Sequence, residues 1–171
     1  MKNFDFKKLQ SGVTMVELLL YMSILSVLLL VLSSIFVSAL DVQSESNATS
    51  SVEQDGNYIL ARLNYDVHRA QSINIPASNG TTANNFQIVI GGINNTYSID
   101  GNNNLILTND LGANNLNNFN SSISALLVQR LGNPGGVENS LKINFTVSSR
   151  VKRISGIETK DFETNLSLRR Q

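Results

Sequence analysis

The sequence contains no cysteine and only one histidine, His68. The absence of cysteine excludes thiol catalysis, a cysteine-based zinc site and any disulfide. A single histidine cannot supply a histidine-rich metal site, and Asp66 and Arg69 beside it form no recognisable catalytic arrangement. Most classes of enzyme are therefore poorly supported. We expect a protein that is not an enzyme, with no metal and no other cofactor, and we expect His68 to lie on the surface of a helix.

The chain also lacks an excess of charge of either sign, because 13 basic residues balance 13 acidic ones. Charged residues make up 15% of the sequence, whereas an average soluble domain has roughly 25%. No net field therefore draws the chain to nucleic acid. The basic pairs Lys152-Arg153 and Arg169-Arg170 lack the interleaved aromatic residues of a nucleic-acid-binding surface. We expect no nucleic acid among the partners.

What the sequence does have is a long uncharged stretch, residues 18–40, made mostly of Leu, Val and Ile. As a helix it would be about 35 Å long, enough to span a bilayer core of roughly 30 Å. The preceding residues 1–12 carry three lysines and one aspartate, and a basic flank stays on the cytoplasmic side. We therefore expect one helix that spans the cytoplasmic (inner) membrane, with the C-terminal domain outside.

Two ordinary kinds of targeting segment fit this stretch less well. A secretory signal peptide has a shorter apolar region, of about 7–15 residues, followed by a small-residue cleavage site. A plain signal anchor fits the length but does not explain Glu17, which lies four residues after the apolar character begins at Val13. An acidic residue costs about 2.5–3.5 kcal/mol at the centre of a membrane helix. Glu17 is therefore a candidate functional residue that needs a partner.

The residues around Glu17 carry a resemblance to a known family. The segment 11–19, Ser-Gly-Val-Thr-Met-Val-Glu-Leu-Leu, resembles the cleavage region of type IV prepilins and type II secretion pseudopilins. In that family a short basic leader ends in glycine, and a membrane aspartyl peptidase cuts after it and methylates the new N-terminus. The resemblance implies cleavage between Gly12 and Val13, N-methylation of Val13, and a role for Glu17 at the fifth position of the processed chain.

The same resemblance implies what Glu17 does and which partners the chain has. When subunits stack, the Glu17 carboxylate of one chain would neutralise the Val13 amine of another, which offsets two desolvation costs at once. The implied partners are the prepilin peptidase, other pilin or pseudopilin subunits, an inner-membrane assembly platform and membrane lipid. The implied location is the inner membrane at first and then a type IV pilus or a type II secretion pseudopilus.

Two further features indicate a minor subunit. The major pilins commonly carry a helix-breaking proline in the second half of the apolar run, and this run has none. Residues 60–70 and the final strand are similar to W-type minor pilins and J-type pseudopilins. The resemblance implies a place near the filament tip, where the subunit would help to initiate or cap assembly.

The alternative is a membrane-anchored extracytoplasmic binding domain for a surface ligand or DNA, which would need a patch of aromatic or basic residues.

The serines of the apolar run are open to two interpretations. At 100° per residue they fall within an arc of about 140°, and they are Ser23, Ser26, Ser33, Ser34 and Ser38. Small residues on one face let helices approach closely in lipid or in a filament core. Alternatively, serine is merely tolerated in a membrane helix.

The pattern predicts four segments: a leader at 1–12, a membrane and assembly helix at 13–40, its continuation at 41–73, and a β-rich domain at 74–171. Residues 41–51 are polar and could form either a solvated helix or a loosened linker. Ser50 and Glu53 match a capping box, which predicts a local restart of the helix. Beyond it, apolar residues recur at helical spacing, and they are Val52, Ile59, Leu63, Val67 and Ala70. The helix should end near Ile73, because Pro76 disfavours helix at the residue before it.

After the helix the apolar residues alternate, which predicts short strands. The predicted strands are 86–90, 96–99, 105–107, 126–128, 141–147 and 162–168. A turn is predicted at Asp100-Gly101, a loop at 109–120, a turn at 133–136, and a hairpin around Gly156 between the last two strands. The predicted fold class is α+β and pilin-like, with a long N-terminal transmembrane helix packed on a mostly antiparallel sheet.

Overall fold

The computed structural model describes residues 12–132 and 139–168. The predicted leader, apart from Gly12, lies outside the described residues, as do the turn predicted at 133–136 and the pair Arg169-Arg170. The chain divides into two compact units, an N-terminal unit, Met1–Leu40, and a C-terminal unit, Asp41–Gln171. A single helix in the described ranges, α1 (Met15–Arg69), contributes to both units.

Two antiparallel sheets follow the helix. The strands, numbered in chain order, are β1 (Ser72–Ile75), β2 (Thr82–Ala83), β3 (Phe86–Ile90), β4 (Ile93–Ile99), β5 (Leu105–Asn109), β6 (Gly112–Asn115), β7 (Ser121–Gly132), β8 (Asn139–Ser149) and β9 (Thr159–Ser167). One sheet has the order β1-β3-β4-β5-β6 and the other the order β2-β7-β8-β9. Neighbouring strands pair antiparallel in both sheets. The predicted α+β arrangement is confirmed.

The helix runs without interruption for 55 residues. Of the two predictions for residues 41–51, the helix is therefore confirmed and the loosened linker is wrong. The predicted restart at Ser50 is wrong as well, because Ser50 lies inside α1 and its Oγ accepts a hydrogen bond from Gln54 Nε2 at 2.9 Å. Glu53, the other half of the predicted capping box, instead accepts a hydrogen bond from Lys160 Nζ at 2.5 Å.

The helix ends at Arg69, four residues before the predicted end near Ile73. The backbone N–H of Gln71 already bonds to the Val89 carbonyl of β3 at 2.8 Å, and β1 then pairs with β3. Ile73 is buried as a strand residue. Pro76 sets only the latest possible end of the helix, and pairing with a sheet edge ends it earlier.

The strands with clear alternation are found where the sequence predicts them, including the β8–β9 hairpin on either side of Gly156. The predicted loop at 109–120 is wrong in part, because β6 lies within it. All four residues of β6 are exposed, so no apolar pattern marks the strand. Among the strands that the structure describes, β5 is the one that pairs with it.

The predicted turn at Asp100-Gly101 is confirmed, and the Asp100 carboxylate stabilises it. Its Oδ1 accepts hydrogen bonds from the backbone N–H groups of Asn104 at 2.6 Å and Asn102 at 2.9 Å. The bond from the Asn104 backbone is the main reason why the pKa of Asp100 lies below its usual value. The backbone N–H groups of the turn thus bond to the side chain of Asp100, which is the pattern of an Asx turn.

The core lies between the C-terminal half of α1 and the two sheets. The five apolar residues predicted to face it are all buried, namely Val52, Ile59, Leu63, Val67 and Ala70. Gly56 lies on the same face, against the ring of Phe162, which stacks on Phe145 with ring centroids 5.4 Å apart. A Cβ atom at Gly56 would overlap the Phe162 ring. Glycine is therefore required where the helix meets β9.

We expect Gly56→Ala to lower the free energy of unfolding by about 1–3 kcal/mol, the usual cost of overpacking. This cost outweighs the roughly 1 kcal/mol by which alanine favours a helix over glycine. Urea unfolding of the full chain in detergent micelles, followed by circular dichroism, measures the change. The exposed neighbour serves as control, because Asn57→Ala should leave stability unchanged or raise it. Equal stability of the Gly56→Ala chain and the wild type would contradict the packing of helix on β9.

Candidate functional site

The candidate site lies at the start of α1. Gly12, Val13 and Thr14 are exposed and not helical, and the helix begins at Met15. Among the described residues, and apart from its own chain neighbours, no heavy atom lies within 4 Å of the position that a Cβ atom would take at Gly12. The peptide bond between Gly12 and Val13 is therefore open to an approaching protein on the glycine side.

Thr14 caps the helix immediately after that bond. Its Oγ1 accepts a hydrogen bond from the Glu17 backbone N–H at 3.3 Å, and its carbonyl accepts one from the Leu18 N–H at 3.1 Å. This is the first half of a capping box, Thr-x-x-Glu. The cap is not among the predictions from the sequence, although a threonine three residues before a glutamate is the pattern that indicates it.

The Glu17 side chain does not complete the capping box. Its Oε1 accepts a hydrogen bond from the Tyr21 hydroxyl at 3.1 Å, one helical turn further along. Both residues are exposed. As an acidic residue in the first turn, Glu17 also interacts favourably with the N-terminal end of the helix dipole. The contact with Tyr21 is likewise not among the predictions from the sequence, although the spacing of four residues between Glu17 and Tyr21 permits it in a helix.

Of the predicted site residues, Gly12 and Val13 are adjacent in the exposed segment and Glu17 lies on the first turn of α1. No hydrogen bond joins Glu17 to Gly12 or Val13 among the residues that the structure describes. The carboxylate is therefore directed to Tyr21 on its own chain, and it remains accessible from outside.

The segment of α1 after Glu17 presents apolar side chains on every side. From residue 18 to residue 40 all side chains are exposed, and the helix is long and apolar enough to cross a membrane. Three serine hydroxyls in this segment donate to carbonyls of the preceding turn, and the bonds are Ser23 to Leu20 at 2.8 Å, Ser26 to Met22 at 2.8 Å and Ser34 to Val31 at 2.9 Å. Hydroxyls bonded in this way need no partner in lipid, which favours the interpretation that serine is tolerated here.

A second polar cluster lies at the C-terminal end of α1, next to His68. His68 itself is exposed. Its neighbour Asp66 is buried and accepts hydrogen bonds from the Tyr97 hydroxyl at 2.5 Å and from Arg62 Nε at 2.7 Å. Burial, and next the hydrogen bond to Asp66, raise the pKa of Tyr97 well above its ordinary value. The cluster joins α1 to β4.

The raised pKa of Tyr97 predicts how stability depends on pH. Below about pH 10, Tyr97 is protonated in both the folded and the unfolded chain, whereas above that pH Tyr97 loses its proton only in the unfolded chain. The free energy of unfolding should then fall by about 1.4 kcal/mol per pH unit. In Tyr97→Phe this loss should be absent, although the variant should be about 1–3 kcal/mol less stable near neutral pH because Asp66 loses a donor. Urea unfolding of both full chains at pH 8 and pH 11 tests this, and parallel losses in the two chains would contradict it.

The N-terminal region of the chain is similar to that of known proteins. Residues 7–33 match the family model described as the prokaryotic N-terminal methylation motif, which is a signature of type IV pilins and pseudopilins. No curated protein and no solved structure shows significant similarity to the chain. The match contains the three predicted site residues, Gly12, Val13 and Glu17.

Proposed function

We propose that this chain, which carries the N-terminal methylation motif of type IV pilins and pseudopilins, is a minor structural subunit of a type IV pilus or a type II secretion pseudopilus. In this proposal the peptidase cuts between Gly12 and Val13 and methylates Val13, and the processed chain enters the filament through α1. One observation carries the proposal. The glycine of the motif lies in an exposed, non-helical segment, three residues before the start of a helix whose residues 18–40 are uncharged and exposed.

Glu17 is the residue that we assign to subunit assembly. Cutting after Gly12 would place a positive amine on Val13, close to the start of α1. Burying the unpaired Val13 amine near the apolar core of a filament costs free energy, and burying an unpaired Glu17 carboxylate there does so as well. Pairing the Glu17 carboxylate of one subunit with the Val13 amine of another would remove both costs and fix the register of the two helices. Until then the Tyr21 hydroxyl provides a partner for the carboxylate.

The minor role rests on the composition of the apolar run and on the resemblance to W-type and J-type subunits. Residues 18–40 contain no proline, so the continuous helix of the structure has no site for the break that major pilins commonly have. We place the subunit near the filament tip, where it would help to initiate or cap assembly. The basic leader would lie in the cytoplasm and the C-terminal unit outside, with the assembly platform and membrane lipid as further partners.

Mechanical shearing of cells tests the proposed function. An epitope-tagged chain should appear with the sheared filaments in small amounts relative to the major subunit, and only in cells that have the prepilin peptidase. A chain that stays entirely with the membrane fraction in both strains would contradict the subunit role. That result would instead support a membrane-anchored extracytoplasmic domain that binds a surface ligand or DNA.

A further inference from the structure

A crevice lies in the C-terminal unit at the point where the chain passes from one sheet to the other. Ala83 of β2 pairs with β7, and β3 of the other sheet begins at Phe86, so residues 84–85 connect the two sheets. The crevice has a volume of about 430 Å³, within the range of roughly 300–1,000 Å³ that is usual for small-molecule sites. It is lined by this connection, by the end of β4 and by the middle of β7, namely by Asn84, Asn85, Ser98, Ile99, Ala125 and Leu126.

The polar side chains of the crevice have no partners in the part of the chain that the structure describes. Asn85 and Ser98 are half-buried and Asn84 is exposed, and none of the three side chains forms a hydrogen bond with a described residue. Asn117, by contrast, is buried and bonded through both ends of its amide, with Oδ1 accepting from the Leu105 N–H at 2.9 Å. The two amides and the hydroxyl of the crevice are therefore available to a ligand, and each can both donate and accept.

A β-bulge in β7 forms one wall of the crevice. The register between β7 and β8 shifts between Ser124 and Leu127, and Ala125 within this bulge has φ of +51°. That left-handed conformation is uncommon for a residue other than glycine, and it persists where the surrounding structure holds it in place. Bulges of this kind are frequent beside functional sites, where they redirect the chain. The wall at Ala125 is thus a built feature of the fold.

The chemistry of the lining selects the kind of ligand. None of the six lining residues is charged, so an ionic ligand would gain no ion pair from them. Amide and hydroxyl side chains bond to the hydroxyl and amide groups of a neutral ligand, while Ile99 and Leu126 offer an apolar surface to its carbon-bound hydrogens. An acetamido sugar carries hydroxyl groups, one amide and one methyl group, and it therefore matches every part of this lining.

We propose that the crevice between β4 and β7 binds a neutral saccharide through one acetamido sugar unit. Asn84, Asn85 and Ser98 bond to its hydroxyl and acetamido groups, and its methyl group lies against Ile99. Because only a few polar groups converge, we expect a dissociation constant on the order of 1 mM. The site lies within the C-terminal unit, so this proposal does not depend on cleavage after Gly12 or on entry into a filament.

Saturation-transfer NMR of the full chain with N,N′-diacetylchitobiose as the probe tests the proposal. The chain is held in dodecylphosphocholine micelles, because a detergent with a sugar headgroup would compete for the crevice. We expect saturable transfer from the protein to the acetyl protons of the probe. Asn85→Ala and Ser98→Ala should each raise the dissociation constant at least about threefold, the usual effect of losing one hydrogen bond. The double variant should raise it at least about tenfold.

Asn114→Ala is the matched control, because Asn114 is exposed on β6 and lies outside the crevice. It should bind the probe as the wild type does. Since Asn85 and Ser98 have no hydrogen bonds to lose, their variants should keep the urea midpoint of the wild type, which separates loss of binding from loss of the fold. The absence of saturable transfer to the wild type would overturn the proposal. Equal binding by the double variant and the wild type would also overturn it, because the sugar would then lie elsewhere.

Discussion

Replacing Gly12 by valine is expected to reduce cleavage by prepilin peptidase to an undetectable level, so that the chain stays in the membrane at full length. No other described residue fills the space where a side chain at Gly12 would lie, and Gly12 lies outside the helix. The substitution should therefore leave the fold unchanged, and its effect should arise at the peptidase, which must approach the backbone next to the bond that it cuts. Immunoblotting of cell membranes separates the cut and uncut forms.

Gly101→Val is the matched control for this experiment. Gly101 also has open space around it, and it lies in the exposed turn after β4. The same chemical change is thus made far from the cleavage motif, and processing of that variant should equal that of the wild type. Normal cleavage of the Gly12→Val chain would show that the bond after Gly12 is not the processing site.

The second large effect is expected at Glu17. A Glu17→Gln chain should still be cut, because the substitution lies beyond the bond, but its recovery in sheared filaments should fall by roughly a hundredfold or more. Removing one partner of a buried ion pair costs about 3–5 kcal/mol, because the other charge remains buried alone. In the proposed filament that remaining charge is the Val13 amine. Quantitative immunoblotting of the sheared and membrane fractions measures the change.

Glu53→Gln makes the same substitution elsewhere on α1. Glu53 pairs with Lys160, and both side chains are about half exposed, so the loss of this ion pair should cost at most about 1 kcal/mol. Filament recovery of that variant should stay close to that of the wild type. If Glu17→Gln were recovered as well as Glu53→Gln, Glu17 would have no part in assembly, whatever the outcome at Gly12.

Much of the fold could be predicted from local pattern. The uncharged run and the helical spacing from Val52 to Val67 predict most of α1, and the alternation at 141–147 and 162–168 predicts the β8–β9 hairpin. These predictions succeed because the burial of apolar side chains decides both elements. Backbone pairing between strands leaves no apolar pattern in the sequence. The exposed strand β6 is held by backbone pairing with β5, and the early end of α1 at Arg69 is set by pairing with β3, further along the chain, so the apolar pattern could not reveal either of them.

Part of the candidate site could be predicted from the sequence, and part of it could not. Gly12, Val13 and Glu17 could be proposed from the sequence because the motif is short, contiguous and specific, and residues 7–33, which contain all three, match a family model. The hydrogen bonds of Thr14 and Tyr21 depend on where the helix begins and on which way the Glu17 side chain turns. The spacing of the residues permits both hydrogen bonds, but the folded helix decides whether they form.

The intact mass of the chain, purified from cells with and without prepilin peptidase, is the decisive test of cleavage after Gly12. We expect that, only when the peptidase is present, the mass falls by that of residues 1–12 and rises by that of one methyl group, with Val13 as the new N-terminus. A full-length, unmethylated chain in both strains would contradict it, and the protein would then be a plain membrane anchor that carries a β-sheet domain.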